Sequence, residues 1–249
     1  MSIIIKSAEE LQIMREVGRI VARVLERLIR EIRPGITTGE LDALAAEELK
    51  RYGAASSDKG YRGFPANICT SVNEEVVHGI PGDRVLREGD IISLDITANY
   101  KGFHGDAAVT VGVGEISPLA RSLIEATRGA LEAGIAAARA RAHVSDISYA
   151  IQSYVEARGF SPVREYVGHG IGREMHEEPQ IPNFGPPGKG PILRPGMTLA
   201  IEPMINAGGW KTKVRPDGWT VVTSDGSLSA HFEHTIAITD GEAEILTLA

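Results

Sequence analysis

Leu86-Arg87-Glu88-Gly89-Asp90-Ile91-Ile92-Ser93-Leu94-Asp95 can be laid without a gap over Leu193-Arg194-Pro195-Gly196-Met197-Thr198-Leu199-Ala200-Ile201-Glu202. Each stretch reads as a turn containing glycine, then an apolar strand, then a carboxylate near its end. An acid in that setting is costly unless something offsets its charge. A second pair of strands carries Asp106 and Glu233, and the glycine-flanked His169 lies between the halves. Four carboxylates and one imidazole are too many for a metal-free core and suit two shared divalent cations.

Helices precede both copies. Ser7 and Glu10 have capping-box spacing, and Leu11, Met14, Val17, Val21, Val24, Leu25 and Leu28 then make one apolar face. That helix is expected to run to about Ile32 and stop before Arg33-Pro34-Gly35. Thr37 and Glu40 repeat the cap and open a second helix ending at Gly53. Strands are expected over 67–71, 91–99 and 106–113, with residues 72–79 as a turn and 99–102 as a hairpin. Helices return over 118–138 and 146–158. Residues 168–178 form a glycine- and histidine-rich approach, 183–190 a surface loop, and 198–205, 221–223 and 233–239 the final strands.

Leu41 and Gly53 correspond to Ile147 and Gly159 at an offset of 106, close to the 107 that joins Asp95 to Glu202. Each half therefore reads as two helices, a loop and antiparallel strands. The apolar sheet faces are best buried as one continuous sheet beneath the helices, giving a pseudo-twofold α+β fold. The chain is expected to be a single catalytic domain over 1–249, with related halves of about 7–113 and 115–240. Two small domains would also fit this length.

Composition narrows the function classes. A chain of 249 residues buries roughly three quarters of its surface by size scaling, and 43% apolar with 24% charged residues describes an ordered globular protein. A net charge of -7 gives no support to direct nucleic-acid readout. Cys69 is the sole cysteine, so no intrachain disulfide can form and an oxidising compartment gains no support. The apolar start, Ile3-Ile4-Ile5, is too short for a signal-peptide core, and no apolar run approaches the ~20 residues of a membrane span. Cytoplasm is the expected compartment.

Strand period places Ser93, Asp95 and Thr97 on one face, opposite Ile92, Leu94 and Ile96, and puts Glu202 with Ala200 and Met204. Left unneutralised, the four acids would repel and raise one another's pKa values. Oxygen-rich ligation with one imidazole favours Mn, Co, Fe or Zn over a thiolate-bound structural zinc. Taken singly, Asp106 reads equally as a turn acid, Glu202 as a cap and Glu233 as a lysine partner. The matched settings of Asp95 and Glu202 weigh against that reading.

Asn99-Tyr100-Lys101-Gly102-Phe103-His104-Gly105-Asp106 follows Asp95, and Gly168-His169-Gly170-Ile171-Gly172-Arg173 leads to His176-Glu177-Glu178-Pro179. Ile201-Glu202-Pro203 and His231-Phe232-Glu233-His234-Thr235 come later. Together these motifs closely resemble the type I, bacterial-type methionine aminopeptidases of the pita-bread fold, from about Ile5 to Leu246. The resemblance implies a curved, antiparallel-rich sheet covered by two helix pairs. It also implies two divalent cations that activate a water to remove the initiator methionine from nascent proteins with a small second residue. Asp95 would serve chiefly one metal, Asp106 and Glu233 would bridge both, and His169 and Glu202 would complete the other. Glu202 would also shuttle a proton. His176 would bond the scissile carbonyl, and His78 would contact the amide nitrogen beyond it. Without the resemblance, each of these two histidines reads equally as a loop hydrogen-bonding group.

By the same resemblance, Tyr61, Phe64, Cys69, His78, Met175 and Trp219 form the methionine pocket, where aromatic walls suit a thioether. Cys69 is expected to pack rather than act as a nucleophile, and Trp219 on its own reads as a buried anchor. Asp58 stands where some members have cysteine, Arg62 where histidine is common, and Met175 where an aromatic is common. Asn73 and Ser229 resemble loop positions associated with an additional monovalent cation. His104, His231 and His234 are expected to support ligands rather than bind metal. The expected partners are nascent polypeptides with N-terminal methionine, with transient ribosome contact, no membrane and a monomeric state.

Two rivals share the fold. X-Pro aminopeptidases and dipeptidases carry a substantial N-terminal domain, for which a first helix near Ser7 is expected to leave no room. A metal-free binding protein would be expected to lose a ligand, whereas all five are present.

Overall fold

The computed structural model describes residues 2–249. Its first helix, α1 (Ala8–Glu31), begins where Ser7 Oγ accepts from Glu10 N and the Glu10 carboxylate accepts from Ser7 N. Thr37 and Glu40 close the same reciprocal pair at α2 (Thr38–Arg51). Ser117 caps α3 (Pro118–Ala137), which has proline in its first turn, where the missing N–H costs nothing. The fourth helix, α4 (Val144–Glu156), starts two residues before the expected Asp146. Asp146 is not its first residue but the reciprocal partner of the cap, accepting from His143 N at 2.7 Å.

Five strands precede α3: β1 (Ala55–Ser56), β2 (Cys69–Val72), β3 (Glu75–Val77), β4 (Ile91–Tyr100) and β5 (Phe103–Gly112). After α4 come β6 (Ser161–Pro162), β7 (Val167–Gly170), β8 (Glu177–Pro182), β9 (Thr198–Ile201) and β10 (Met204–Asn206). The last are β11 (Thr212–Val214), β12 (Val221–Thr223), β13 (Ser229–His231), β14 (Glu233–Ala237) and β15 (Glu244–Ile245). The main sheet runs β1-β4-β5-β14-β9-β7-β8, with β2 added to β4 and β15 to β14. Two smaller sheets, β13-β10-β6 and β11-β12-β3, flank it.

One face of the main sheet lies under helices. Val17, Val21, Val24 and Leu28 of α1 cluster with Leu94, Ile96, Ala98 and Ala107. Leu123 and Leu131 of α3, with Ile147 and Ile151 of α4, cluster with Leu199, Ile201 and Ile236. Each such valine, leucine or isoleucine side chain contributes about 1.5–3 kcal/mol by leaving water. This is the α+β, two-helix-pair arrangement expected from the repeat.

The turns before the two overlaid stretches close with matching hydrogen bonds. Gly35 N donates to Leu86 O and Arg141 N to Leu193 O, both at 2.9 Å. Leu86 N donates to Ile36 O and Leu193 N to Ala142 O, both at 2.8 Å. Both turns need a left-handed residue, Gly35 at φ 94 and Arg141 at φ 74.

Three expectations are corrected. Residues 72–79 are not all turn, because Glu75–Val77 forms β3 and pairs with β12. The single strand expected over 198–205 is two strands, since Pro203 has no N–H to continue a ladder. The chain turns at Glu202-Pro203, leaving β9 in the main sheet while β10 joins β6 and β13. The glycine- and histidine-rich approach over 168–178 contributes to β7 and β8. Asn183, expected at the surface, is buried and donates from Nδ2 to Glu202 O at 3.0 Å.

Candidate metal centre and substrate cleft

Register explains how the acids meet. Cys69 lies opposite Asp95, Asp95 opposite Ala108, and Ala108 opposite Glu233. Directly paired residues share a face, and residues two apart on one strand share it too. Asp106 is therefore beside Glu233 on the face opposite the helices. Thr235 pairs with Ala200, and Ala200 with His169, so the imidazole emerges on that same face. Glu202 stands at the corner just beyond β9.

His169 Nδ1 lies 2.8 Å from Gly170 O and must donate, since a carbonyl only accepts. The Nε2 lone pair is thereby aimed at the acids, 3.4 Å from Glu202 Oε1 and 3.9 Å from Asp106 Oδ2. Donor atoms of Asp106, His169 and Glu233 lie within 4.8 Å of one another, and all three residues are buried. Among the described residues, no lysine or arginine forms an ion pair with Asp95, Asp106, Glu202 or Glu233. Burial first, and then mutual repulsion, pushes the carboxyls of Asp106, Glu202 and Glu233 well above the usual range. Burial pushes Asp95 up to about 7 and His169 down to about 3. Asp106 Oδ1 and Glu233 Oε1 are buried with no hydrogen-bond partner. A concentration of acceptors with unused oxygens and no lysine or arginine partner fits divalent metal, and it fits poorly as a metal-free core.

The twelve residues expected in the site all line one cleft of about 180 Å³. Phe64 packs edge-on against Trp219 with centroids 5.2 Å apart, and Met175 and Cys69 are buried beside them. Trp219 itself is only half-buried, so it is a wall of the cleft and not the enclosed anchor it reads as alone. Tyr61 Oη lies 3.0 Å from His176 Nδ1, and the His176 ring is 4.3 Å from that of His169. His78 sits at φ 58, 6.3 Å from Trp219 between centroids, and burial lowers its pKa to about 4. Burial also raises the Cys69 thiol well above its ordinary value, keeping it protonated. A larger groove of about 660 Å³ lies between α1 and α3, lined by Leu25, Leu131 and Ile135. The acid–imidazole cluster opens into the smaller cleft, so size does not mark the site.

Asn73 and Ser229 lie together outside this cleft, Ser229 N donating to Asn73 O at 2.9 Å. His104 is held by Ser57 Oγ at 2.8 Å and Asn99 Nδ2 at 3.0 Å, and His234 by Thr247 Oγ1 at 2.8 Å. His231 comes closer, with Nε2 3.8 Å from Glu233 Oε2 and both ring nitrogens unpartnered. Sequence reasoning missed Thr97 as a cleft-lining residue, although it lies on the same strand face as Asp95. It also missed the buried pair of Lys6 Nζ and Glu177 Oε2 at 2.5 Å, which ties the N-terminal segment to the residue after His176. Nothing in the spacing of residues so far apart announces that contact.

The model for metallopeptidase family M24 matches residues 12–240. Methionine aminopeptidase 1 of Bacillus subtilis is 58% identical over 98% of this chain and 99% of its own length. The crystal structure of methionine aminopeptidase from Thermotoga maritima superposes with a TM-score of 0.98 at 48% identity, covering 100% of both chains. An Xaa-Pro dipeptidase from Bacillus anthracis shares the fold alone, with a TM-score of 0.79 and 24% identity over 98% of this chain and 62% of that one. With a family match spanning nearly the whole chain and a relative well above half identical, this protein belongs to metallopeptidase family M24.

Proposed function

We propose that this chain removes the initiator methionine from nascent polypeptides whose second residue is small, acting as one catalytic domain built from two related halves. The observation that carries the reading is a set of four carboxylates and His169 Nε2 converging beside an aromatic, apolar pocket. Asp95, Asp106, His169, Glu202 and Glu233 would hold two divalent cations, Co, Mn, Fe or Zn. Such ions, when bound, lower the pKa of water and polarise a carbonyl.

The chain's own groups do the rest. Phe64, Trp219, Met175, Tyr61 and Cys69 hold the methionine side chain by shape and aromatic contact. His176, its Nδ1 beside the Tyr61 hydroxyl, presents Nε2 as a donor to the scissile carbonyl oxygen as charge develops there. His78 contacts the amide nitrogen beyond that carbonyl and assists its departure. A Glu202 carboxylate oxygen, partly open to the cleft, takes a proton and delivers it to the leaving amine. Cys69 packs and takes no part in bond making.

The same reading includes a monovalent cation near Asn73 and Ser229, a monomer working in the cytoplasm, and transient contact with ribosomes without nucleic-acid readout. Among the described residues, no helix is long and apolar enough to cross a membrane.

The test is peptide cleavage followed by mass spectrometry. Met-Ala-Ser is expected to be cleaved well, Met-Leu-Ser poorly because crowding displaces the reacting carbonyl, and N-acetyl-Met-Ala-Ser essentially not at all. Comparable initial rates on all three would remove the assignment.

A further inference from the structure

The cleft has a closed end and an open one. Asp106, His169 and Glu233 are buried at its floor, whereas Arg62 and His176 are exposed. A polypeptide whose first side chain fills the inner pocket must leave past that exposed rim. Arg62 is the only lysine or arginine among the cleft-lining residues. Among the described residues it forms no ion pair, whereas Arg173 is engaged by Glu10 at 3.1 Å and Lys101 by Glu16 at 2.7 Å.

Its position is built in. Arg62 sits at φ 49 between Gly60 at φ 89 and Gly63 at φ 91, in a turn closed by Gly60 N donating to Phe64 O at 2.8 Å. A long side chain at positive φ is uncommon. The turn holds the guanidinium carbon 5.3 Å from the centroid of the Tyr61 ring, whose hydroxyl reaches His176. One ring thus separates a free cation from the histidine at the scissile carbonyl. The protein's net charge of -7 would turn acidic segments away at long range, and this cation offsets that locally.

From this placement, and resting on the aminopeptidase reading, we infer that Arg62 binds an acidic side chain at the third residue of the substrate. The enzyme then favours chains that begin with methionine, a small residue and an acid. Because the contact lies away from the reacting bond, it binds ground state and transition state alike and acts through KM.

The test uses C-terminally amidated Met-Ala-Glu-Gly, Met-Ala-Gln-Gly and Met-Ala-Lys-Gly with the metal-loaded enzyme. The amide removes a free carboxylate that would otherwise compete for the guanidinium. Ratios of kcat/KM within each protein cancel any general change in activity. The parent is expected to favour Glu over Gln by about three-fold at low salt, the size of an exposed ion pair, with the preference carried by KM and shrinking as salt rises. Arg62→Asn, chosen because asparagine tolerates positive φ, is expected to bring the ratio close to one, and Arg62→Glu to reverse it towards Lys. A ratio near one in the parent, or an undiminished ratio in Arg62→Asn, would overturn the inference. Cleavage of none of the three peptides by the parent would overturn the aminopeptidase reading and this inference with it.

Discussion

Asp106 shows how one residue's surroundings define its work. Its backbone is pinned by Thr235, whose hydroxyl accepts from Asp106 N at 3.0 Å and donates to Asp106 O at 2.8 Å. The carboxylate is left with a buried oxygen that no protein group satisfies. Asp106→Ala is expected to lose both bound metal and nearly all turnover, read by elemental analysis of the purified variant beside the peptide assay. Near-normal metal content with normal turnover would refute the assignment. His176 predicts the opposite separation. It is exposed at the cleft and bonded to Tyr61, so His176→Ala should keep its metal while turnover falls about 100-fold, or ~3 kcal/mol, as for loss of one oxyanion donor. An unchanged kcat alongside intact metal would make this histidine peripheral.

At the scale of elements, the decisive feature is how closely β7 approaches its neighbours. A Cβ added at Gly168 would stand 2.5 Å from Ala200 O on β9, the strand that His169 must face. Gly168→Ala is therefore expected to push the two strands apart, costing about 1–3 kcal/mol by overpacking and weakening metal retention because His169 is the next residue. Denaturant unfolding and metal titration of the same sample check both effects. A variant with parental stability and parental metal affinity would show that the strand pair can absorb the methyl group. The turn at Glu202-Pro203 belongs to this scale as well. It sets Glu202 at a corner between two sheets, where Asn183 holds its carbonyl.

For the whole molecule, metal and fold stability are linked. A ligand bound only by the folded state adds about 2.7 kcal/mol at a hundred times its Kd, so chelation is expected to lower Tm and abolish activity, with Co or Mn restoring both. The pH dependence of the chelated protein follows from the same cluster. The carboxyls of Asp95, Asp106, Glu202 and Glu233 have folded pKa values raised above their unfolded ones. The folded state therefore binds more protons, and stability falls as pH rises through those raised values, to about 7 for Asp95. His169 and His231, lowered to about 3, and His78 and His234, lowered to about 4, act the other way near and below their ordinary 6.5, where the unfolded state takes up protons. Between pH 6.5 and 8 that uptake falls away and the acids outweigh it. Stability of the chelated protein should decline across that interval and recover on metal addition. A flat or rising profile without metal would contradict the proposed uncompensated cluster.

What the sequence determined by itself is what short-range physics encodes. The capping boxes at Ser7 and Thr37, the apolar face of α1 and each copy of the Asp95/Glu202 motif are each contained in one short stretch of chain, and each is legible because local spacing sets local structure. Asp95 and Glu202 stood out because two matched strands each carry a charge that a core would not tolerate alone, and Asp106, Glu233 and His169 stood out as further acids on strands and a glycine-flanked imidazole. Tertiary structure decided the rest. That β9 ends just before Glu202, that His169 Nε2 faces the acids, that Tyr61 meets His176, and that Lys6 closes on Glu177 are matters settled across long stretches of chain. They depend on strand register and on where the turns release the backbone, not on any nearby pattern. Arg62 is the plainest case: the sequence marks it only as an arginine where relatives commonly have histidine, and the left-handed turn between Gly60 and Gly63 is what puts its charge, unpaired, at the mouth of the cleft.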